Sequence, residues 1–398
     1  MTRIDEDPAQ LLVGQYIDTY LPAIDGVIIT VKNYAHWLNL EHFPCYVATA
    51  SAPHGYEDTE PYPIFRYASA PIAHRPPYRF GFPLLDLKFI HSVHDLAPQL
   101  VHTHSPFMAG REARRIARQQ KIPLVATFHS KYYDDVLQST GSKFLAEKAV
   151  QMIVRFYNHC DHVWTVNEGT AQTLRDYGYQ KEIEIMPNGT DFLFPADPQA
   201  ARETVEQKFG LLPEEKVMLY VGQHILQKNL PMLLEAAAAY AQSGGRFKLL
   251  MVGDGYARPD LETMARELGL GESVCFTGLI ADRELLAAIF LRADLFLLPS
   301  IYDNAPLVIR EAAAASCPSV LIAGSNAAKE TQDEYNAYQC ENTVESLSQA
   351  IQRAFSSDQQ RHEIGRQANR TLVRTWQDVV SDVAERYQMI LTERRGQV

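Results

Sequence analysis

Val217-Met218-Leu219-Tyr220-Val221, then Gly222-Gln223-His224-Ile225-Leu226-Gln227-Lys228-Asn229, then Leu230-Pro231-Met232-Leu233-Leu234 running on through alanines to Gln242, reads as a strand, a glycine-opened turn and a helix. The first run is apolar without alternation, as expected of a strand covered on both faces. The last is rich in Leu and Ala, the residues that lose least on entering a helix. A strand feeding a helix of this length is half of a right-handed βαβ unit, and repeated units build a parallel sheet.

The same alternation extends in both directions. Toward the N-terminus, candidate strands are 11–17, 45–50, 100–104, 124–129, 162–166 and 183–186; toward the C-terminus they are 247–252, 274–277, 295–298 and 319–322. Helical patterns occupy 111–120, 168–177, 230–242, 261–268 and 308–316. Asp191-Phe192-Leu193-Phe194-Pro195-Ala196-Asp197-Pro198 breaks the series as a linker. So many strands overfill one sheet, so the expected fold class is α/β with two doubly wound Rossmann-like domains, 1–194 and 195–375. A final helix over 376–398, with apolar Val379, Val380, Val383, Tyr387, Ile390 and Leu391 three or four apart, is expected to pack back on the first domain. Ligands of such sheets bind at the carboxyl ends of the strands, which places the expected site in a cleft between the two domains.

Composition narrows the class. The chain of 398 residues is 46% apolar and 21% charged, which argues against disorder. Its 37 Lys and Arg against 48 Asp and Glu give a net charge of −11, which argues against a general nucleic-acid binder. No run approaches the roughly 20 apolar residues of a membrane span. The start, Met1-Thr2-Arg3-Ile4-Asp5-Glu6-Asp7, is acidic where a secretory signal is basic. Cys45, Cys160, Cys275, Cys317 and Cys340 are scattered and never form a CxxC pair, so they read as small apolar residues in a reducing compartment. A cytoplasmic protein is expected.

P-loop, GxGxxG, GxSxG and HExxH signatures are all missing, which sets aside ATPases, Rossmann dehydrogenases, serine hydrolases and zinc proteases. Two stretches carry chemistry. The turn from Gly222 to Asn229 offers backbone N–H groups at a helix start and the charge of Lys228, which suits a phosphate; an ordinary βα loop with an exposed lysine is the plain alternative. Pro299-Ser300-Ile301-Tyr302-Asp303-Asn304-Ala305-Pro306-Leu307-Val308-Ile309-Arg310-Glu311 runs from a strand through a polar loop into a small-residue helix. Its carboxylates, Asp303 and Glu311, are placed to address two ends of one ligand; an N-cap and a solvated Glu are the alternative.

The whole chain resembles the retaining, nucleotide-sugar-dependent glycosyltransferases of family 4, with their GT-B architecture of two facing domains. The resemblance rests on Asp18-Thr19-Tyr20-Leu21-Pro22 with Gly26-Val27, Val101-His102-Thr103-His104-Ser105-Pro106-Phe107, Pro123 to His129 and Pro187-Asn188-Gly189. It continues through Val221-Gly222 to Lys228-Asn229, Val252-Gly253-Asp254-Gly255, Phe276-Thr277-Gly278, Ala293-Asp294 to Ser300, and the acidic pair Asp303 and Glu311. The His-x-His-Ser-Pro-Phe form is most similar to the branch of diacylglycerol glucosyltransferases and phosphatidylinositol mannosyltransferases.

The resemblance implies roles. Lys228, with helix-start N–H groups near Pro306, would neutralise the donor diphosphate. Glu311 would bind the ribose hydroxyls, and Asp303 with the N–H groups of Asn304, Ala305, Leu307 and Val308 would hold the sugar. Leu279 and Ile280 would line the base pocket, Gly26 would approach the diphosphate, and His104 would lie beside the reacting sugar. Gln223 and Asp254 fall in the donor-binding set, and Arg79, His129 and Lys131 in the acceptor set. Gln223 replaces the family's usual Arg, and Gln227 or Asp303 its usual Glu. No cofactor and no metal is implied, the nucleotide sugar, a UDP-sugar in this branch, being a co-substrate.

His102, His104 and His129 lie on neighbouring strands but lack a fourth ligand for zinc. Arg75-Pro76-Pro77-Tyr78-Arg79-Phe80-Gly81-Phe82-Pro83 is basic and aromatic and reads either as a peripheral contact with the inner membrane surface or an acceptor lipid, or as a Pro-rich surface loop. Residues 71–83 and 131–141 are read as acceptor loops. Val27-Ile28-Ile29-Thr30-Val31 favours a strand locally, but the resemblance and the spacing of Tyr34, Trp37 and Leu38 predict a helix. The expected activity is hexose transfer to a hydroxyl of a lipid or glycan acceptor. An epimerase of GT-B fold and a binding protein without transfer activity are the alternatives.

Overall fold

The structure is a computed structural model that describes residues 11–72, 79–190 and 194–395. They fall into two compact units, one drawn from residues 1–189 and 375–398, the other from 190–374. The first unit contains β1 (Val13–Tyr16), β2 (Cys45–Ala50), β3 (Ile64–Tyr67), β4 (Ser69–Pro71), β5 (Arg79–Gly81), β6 (Leu100–Thr103), β7 (Leu124–Phe128), β8 (His162–Thr165) and β9 (Glu184–Ile185). All but β4 and β5 form a parallel sheet in the order β3-β2-β1-β6-β7-β8-β9; β4 and β5 pair antiparallel beside it. The second unit contains β10 (Val217–Val221), β11 (Lys248–Val252), β12 (Val274–Gly278), β13 (Leu295–Leu298), β14 (Ser319–Ile322) and β15 (Tyr338–Cys340). They form a parallel sheet in the order β12-β11-β10-β13-β14-β15. Each order reverses once, between β1 and β6 and between β10 and β13.

Strands β1, β2, β6 and β7 are buried along their whole length, as are β13 and β14, and none shows the regular polar–apolar alternation of a half-exposed strand. The strands the periodicity misses lie at the margins: β3 and β15 are edge strands, and β4 and β5 stand apart. Such strands are short and mix polar with apolar residues. The helix Gly26–Trp37 confirms the helical reading over the local strand signal. Asp25 caps it by accepting from the N–H groups of Val27 and Ile28 at 2.9 and 2.8 Å, and Ile28, Val31, Tyr34 and Ala35 form its buried stripe. Tertiary burial plus a cap outweighs the few tenths of a kcal/mol that each β-branched residue costs.

Two readings need correction. Residues 131–141 are no loop: Tyr132–Thr140 is a helix closed by Gly141 at φ +67. Residues 71–83 contain β5 and the start of a 3-10 turn at Pro83–Leu85, while Arg75 to Tyr78 lie outside the described residues. The unit boundary falls at Gly189/Thr190, just before the linker read in the sequence, of which 191–193 are also outside the described residues. The C-terminal helix Trp376–Arg395 belongs to the first unit. Its Trp376, Val380, Val383 and Tyr387 are almost wholly buried. Gly189 passes so close that a Cβ there would sit 2.8 Å from the Cα of Trp376.

Candidate active site

In the second unit the order reverses between β10 and β13, where a doubly wound sheet binds ligands. The loops leaving these two strands carry Lys228 and Asp303, and the structure joins them in an ion pair. Both side chains are largely buried, at 14% and 13% exposure. The ammonium also lies 5.8 Å from the centre of the Tyr302 ring. Lys228 ends the 3-10 turn Leu226–Lys228, and Asn229, left-handed at φ +57, turns the chain into the helix Leu230–Gln242. Asn229 then ties its loop to the next by donating to the Pro299 carbonyl at 3.3 Å. The second oxygen of Asp303, Oδ2, is buried with no partner among the described residues. Beyond Asp303 the helix Leu307–Ala314 starts after Pro306 with no side-chain cap, so its first N–H groups point outward with partial positive charge. Asn304 accepts from Asn326 at 3.1 Å, which steadies the loop.

Glu311, one turn into that helix, is 6% exposed and pairs with Arg283 at 2.9 Å. Burial pushes its carboxyl up, and the Arg283 guanidinium holds it back. Arg283 escaped the sequence reading; as the first residue of a helix on the far side of a loop, it carries no local signal. Leu279 and Ile280 follow β12, the first 76% exposed and the second packed on the core.

A third group of loops is sewn together by backbone. Gly222 donates to Val252 at 3.0 Å, His224 to Asp254 at 2.9 Å, and Gly253 to Gly278 at 3.0 Å. A Cβ on Gly253 would fall 1.9 Å from the Gly222 carbonyl oxygen, at a φ of +129 that only glycine tolerates, which explains that glycine of the Val252-Gly253-Asp254-Gly255 stretch. Asp254 is exposed and 3.5 Å from Arg258, which also bonds Glu262 at 2.7 Å. Gln223 is exposed, and its carbonyl accepts from the Tyr220 hydroxyl at 2.9 Å. His224, by contrast, is fully buried, packed on Tyr220 and Phe276, and neither ring nitrogen has a partner among the described residues. An unsatisfied buried polar group costs about 1–3 kcal/mol. His224→Leu is therefore expected to stabilise the second unit by about 1–2 kcal/mol, read as a higher urea midpoint; a lower one would show that the ring is satisfied in solution.

The first unit has its own reversal, between β1 and β6. Asp18, after β1, accepts from Ser105 Oγ at 2.6 Å and from the Ala109 N–H at 2.9 Å, locking the two loops together. Burial raises its carboxyl. Gly26 is exposed with open space where a Cβ would stand, but the adjoining Asp25 already takes up the next two N–H groups. His104 is 1% exposed, and its ring bonds Gln15 at 2.8 Å and His129 at 3.1 Å. Both nitrogens are used inside the unit; His129, which follows β7, is half-buried. Lys131 follows two residues later. Arg79 is elsewhere: with Asp18, Tyr20, Ser51 and Arg66 it lines a shallow open cleft. Its guanidinium donates to Ser69 Oγ at 2.7 Å and to the Ser69 carbonyl at 3.1 Å. Arg66 beside it is engaged by Asp58 at 2.7 Å. The three acceptor candidates therefore divide, His129 and Lys131 at one strand end and Arg79 at the cleft.

Among the described residues no group of three or more His, Cys, Asp or Glu is placed to hold a metal ion, and no helix is long and apolar enough to cross a membrane. Residues 24–192 match the model of Glycosyltransferase Family 4, and residues 201–371 that of Glycosyl transferases group 1. The chain is 27% identical over 314 residues to an alpha-monoglucosyldiacylglycerol synthase of Streptococcus pneumoniae, covering 77% of this chain and 70% of that one. A synthase of the same name from Acholeplasma laidlawii is 22% identical over 78% of this chain and 79% of its own length. Among solved structures, HepE of Anabaena in complex with UDP and glucose matches at TM-score 0.75 and 17% identity, over 95% of this chain and 99% of that one. Sucrose-phosphate synthase of Thermosynechococcus elongatus matches at 0.77 and 19%, over 96% and 100%. Two doubly wound parallel sheets, family models matched along both units and relatives aligned over most of the length place this chain among the family 4 glycosyltransferases of GT-B fold.

Proposed function

We propose that the protein moves a hexose from a nucleotide-diphosphate sugar, a UDP-sugar by preference, to a hydroxyl of a glycerolipid or glycan, with retention of configuration and without a metal. The observation that carries this reading is the Lys228–Asp303 pair at the reversal of the second sheet, beside an uncapped helix start. Fixed positive groups there suit a diphosphate, and Asp303 suits sugar hydroxyls. Glu311, buried and anchored by Arg283, suits the ribose. As the bond from the anomeric carbon to the diphosphate oxygen lengthens, Lys228 and the N–H groups of Leu307 and Val308 stabilise the departing charge. The acceptor oxygen bonds to the same face of the sugar, and its proton passes to the leaving phosphate oxygen. Binding and orientation supply the rest.

The names of the two synthases favour a glycerolipid acceptor. So do Phe80, Leu84, Leu85 and Leu87, exposed apolar residues next to Arg79, with Leu85 at 79%. A peripheral membrane contact and a cytoplasmic location belong to this proposal. A thermal-shift panel of UDP-, GDP- and ADP-sugars, with and without EDTA, tests it: a ligand at a hundred times its dissociation constant adds about 2.7 kcal/mol to the native state. A rise with UDP-sugars that survives EDTA is expected, followed by UDP release in the presence of diacylglycerol vesicles and an α-linked product. No rise with any nucleotide sugar overturns the reading and favours loss of the donor site through Gln223 and Asp303.

A further inference from the structure

The turn Leu226–Lys228 buries none of its residues, and Leu226 is 61% exposed. Apolar packing does not hold this turn, so hydrogen bonds must. Its own run from the Lys228 N–H to the Ile225 carbonyl at 3.1 Å and from the Asn229 N–H to the Leu226 carbonyl at 3.0 Å. Asn229 fixes the far end, donating to the Pro299 carbonyl at 3.3 Å and to Asn342 Oδ1 at 3.0 Å. The near end is held by Tyr256, from the loop that leaves β11. Its hydroxyl accepts from the Leu226 N–H at 3.2 Å and donates to Gln227 Oε1 at 2.8 Å. Backbone brings the tyrosine there. The Ala257 N–H donates to the His224 carbonyl at 3.0 Å, and a Cβ on Gly255 would sit 2.4 Å from that same oxygen. Tyr256 itself is 63% exposed and adds little to the core.

We propose that Tyr256 is a positioning residue: by tying the start of this turn to the β11 loop, it holds the Lys228 ammonium where the leaving diphosphate develops charge. The inference rests on the transferase reading above. A cation stabilises developing charge most when its place is fixed beforehand, and a displacement on the order of 1 Å can cost about a hundredfold in rate. A tyrosine that served folding would bury its ring. This one leaves the ring in water and directs both bonds of its hydroxyl to the two residues before Lys228. Water competes for such exposed bonds, so their contribution to stability is small, and what they fix is the path of the turn.

Tyr256→Phe keeps the ring and removes the hydroxyl; Gln227→Met removes the acceptor at similar volume. Tyr256→Phe is expected to lower kcat for sugar transfer about tenfold, with the donor KM within about twofold and the urea midpoint unchanged. Exchange of the Leu226 amide hydrogen, read by NMR without substrate, should become faster. Because Tyr256 acts through Lys228, the loss should vanish in a Lys228→Met background, where Tyr256→Phe changes kcat by less than about twofold. Gln227→Met should cost less than Tyr256→Phe and add nothing to it. An unchanged kcat in Tyr256→Phe overturns the proposal, as does the same tenfold loss in both backgrounds. If the native chain transfers no sugar, the transferase reading fails, and amide exchange decides the tether alone: an unchanged Leu226 rate in Tyr256→Phe overturns it.

Discussion

Lys228→Met is expected to lower kcat/KM for sugar transfer by about a hundred- to a thousandfold, the scale of losing one preorganised group that meets developing charge. The same substitution leaves Asp303 buried beside no cation, with Oδ2 already unpartnered. It should therefore also destabilise the second unit, by about 1–3 kcal/mol. The two effects separate in Lys228→Met with Asp303→Asn. Removing the carboxylate as well restores the urea midpoint and leaves transfer as slow as before. Lys216→Met is the control, since Lys216 pairs with a 60%-exposed Asp358, and such surface pairs contribute little. If transfer returns in the double variant along with stability, Lys228 is a structural residue.

Urea unfolding of the first unit is expected to become easier as the pH drops below about 6.5, the ordinary value for a histidine in an unfolded chain. Burial keeps His102, His104 and His129 neutral in the folded chain, and pushes His129 down to about 3. Below pH 6.5 the unfolded chain therefore binds more protons than the folded one, so stability falls with pH. Each histidine contributes up to about 1.4 kcal/mol per pH unit, and the three about 4. Asp18 and Asp25 work the other way. Burial raises their carboxyls, so the folded chain takes up those protons first and part of the loss is offset toward the acid end. His129→Asn should reduce the slope between pH 6.5 and 5.5 by about one proton. A midpoint unchanged from pH 7.5 to 5.5 would mean that the three rings are solvated.

What the sequence shows of this protein depends on how locally each feature is encoded. Val217–Val221 and Leu295–Leu298 are legible as strands because burial on both faces demands an unbroken apolar run. Ile64–Tyr67 is not, because an edge strand carries an Arg and half-exposed neighbours. Lys228, Asp303 and Glu311 stand in recognisable stretches, but their partners are settled by folding. The pairing of Lys228 with Asp303 spans the sheet reversal, and Arg283 reaches Glu311 from a separate helix. His104 looks like a ligand contact in sequence, since it ends a strand. Only the fold reveals that Gln15 and His129 occupy both its nitrogens. Tyr387 carries no signal beyond its place in an apolar stripe.

The chain path has a consequence for how the protein is made. Residues 190–374 form a continuous unit set inside a discontinuous one, and at its two ends the Thr190 N–H donates to the Arg374 carbonyl at 2.8 Å. Entry and exit therefore touch, so this unit is an insertion with adjacent termini. A ribosome delivers it whole while the host unit still waits for Trp376–Arg395 to fill its core. For most of its synthesis the nascent first sheet thus lacks the helix that closes it. The aromatic surface later covered by Trp376 and Tyr387 is then the stretch most exposed to wrong partners.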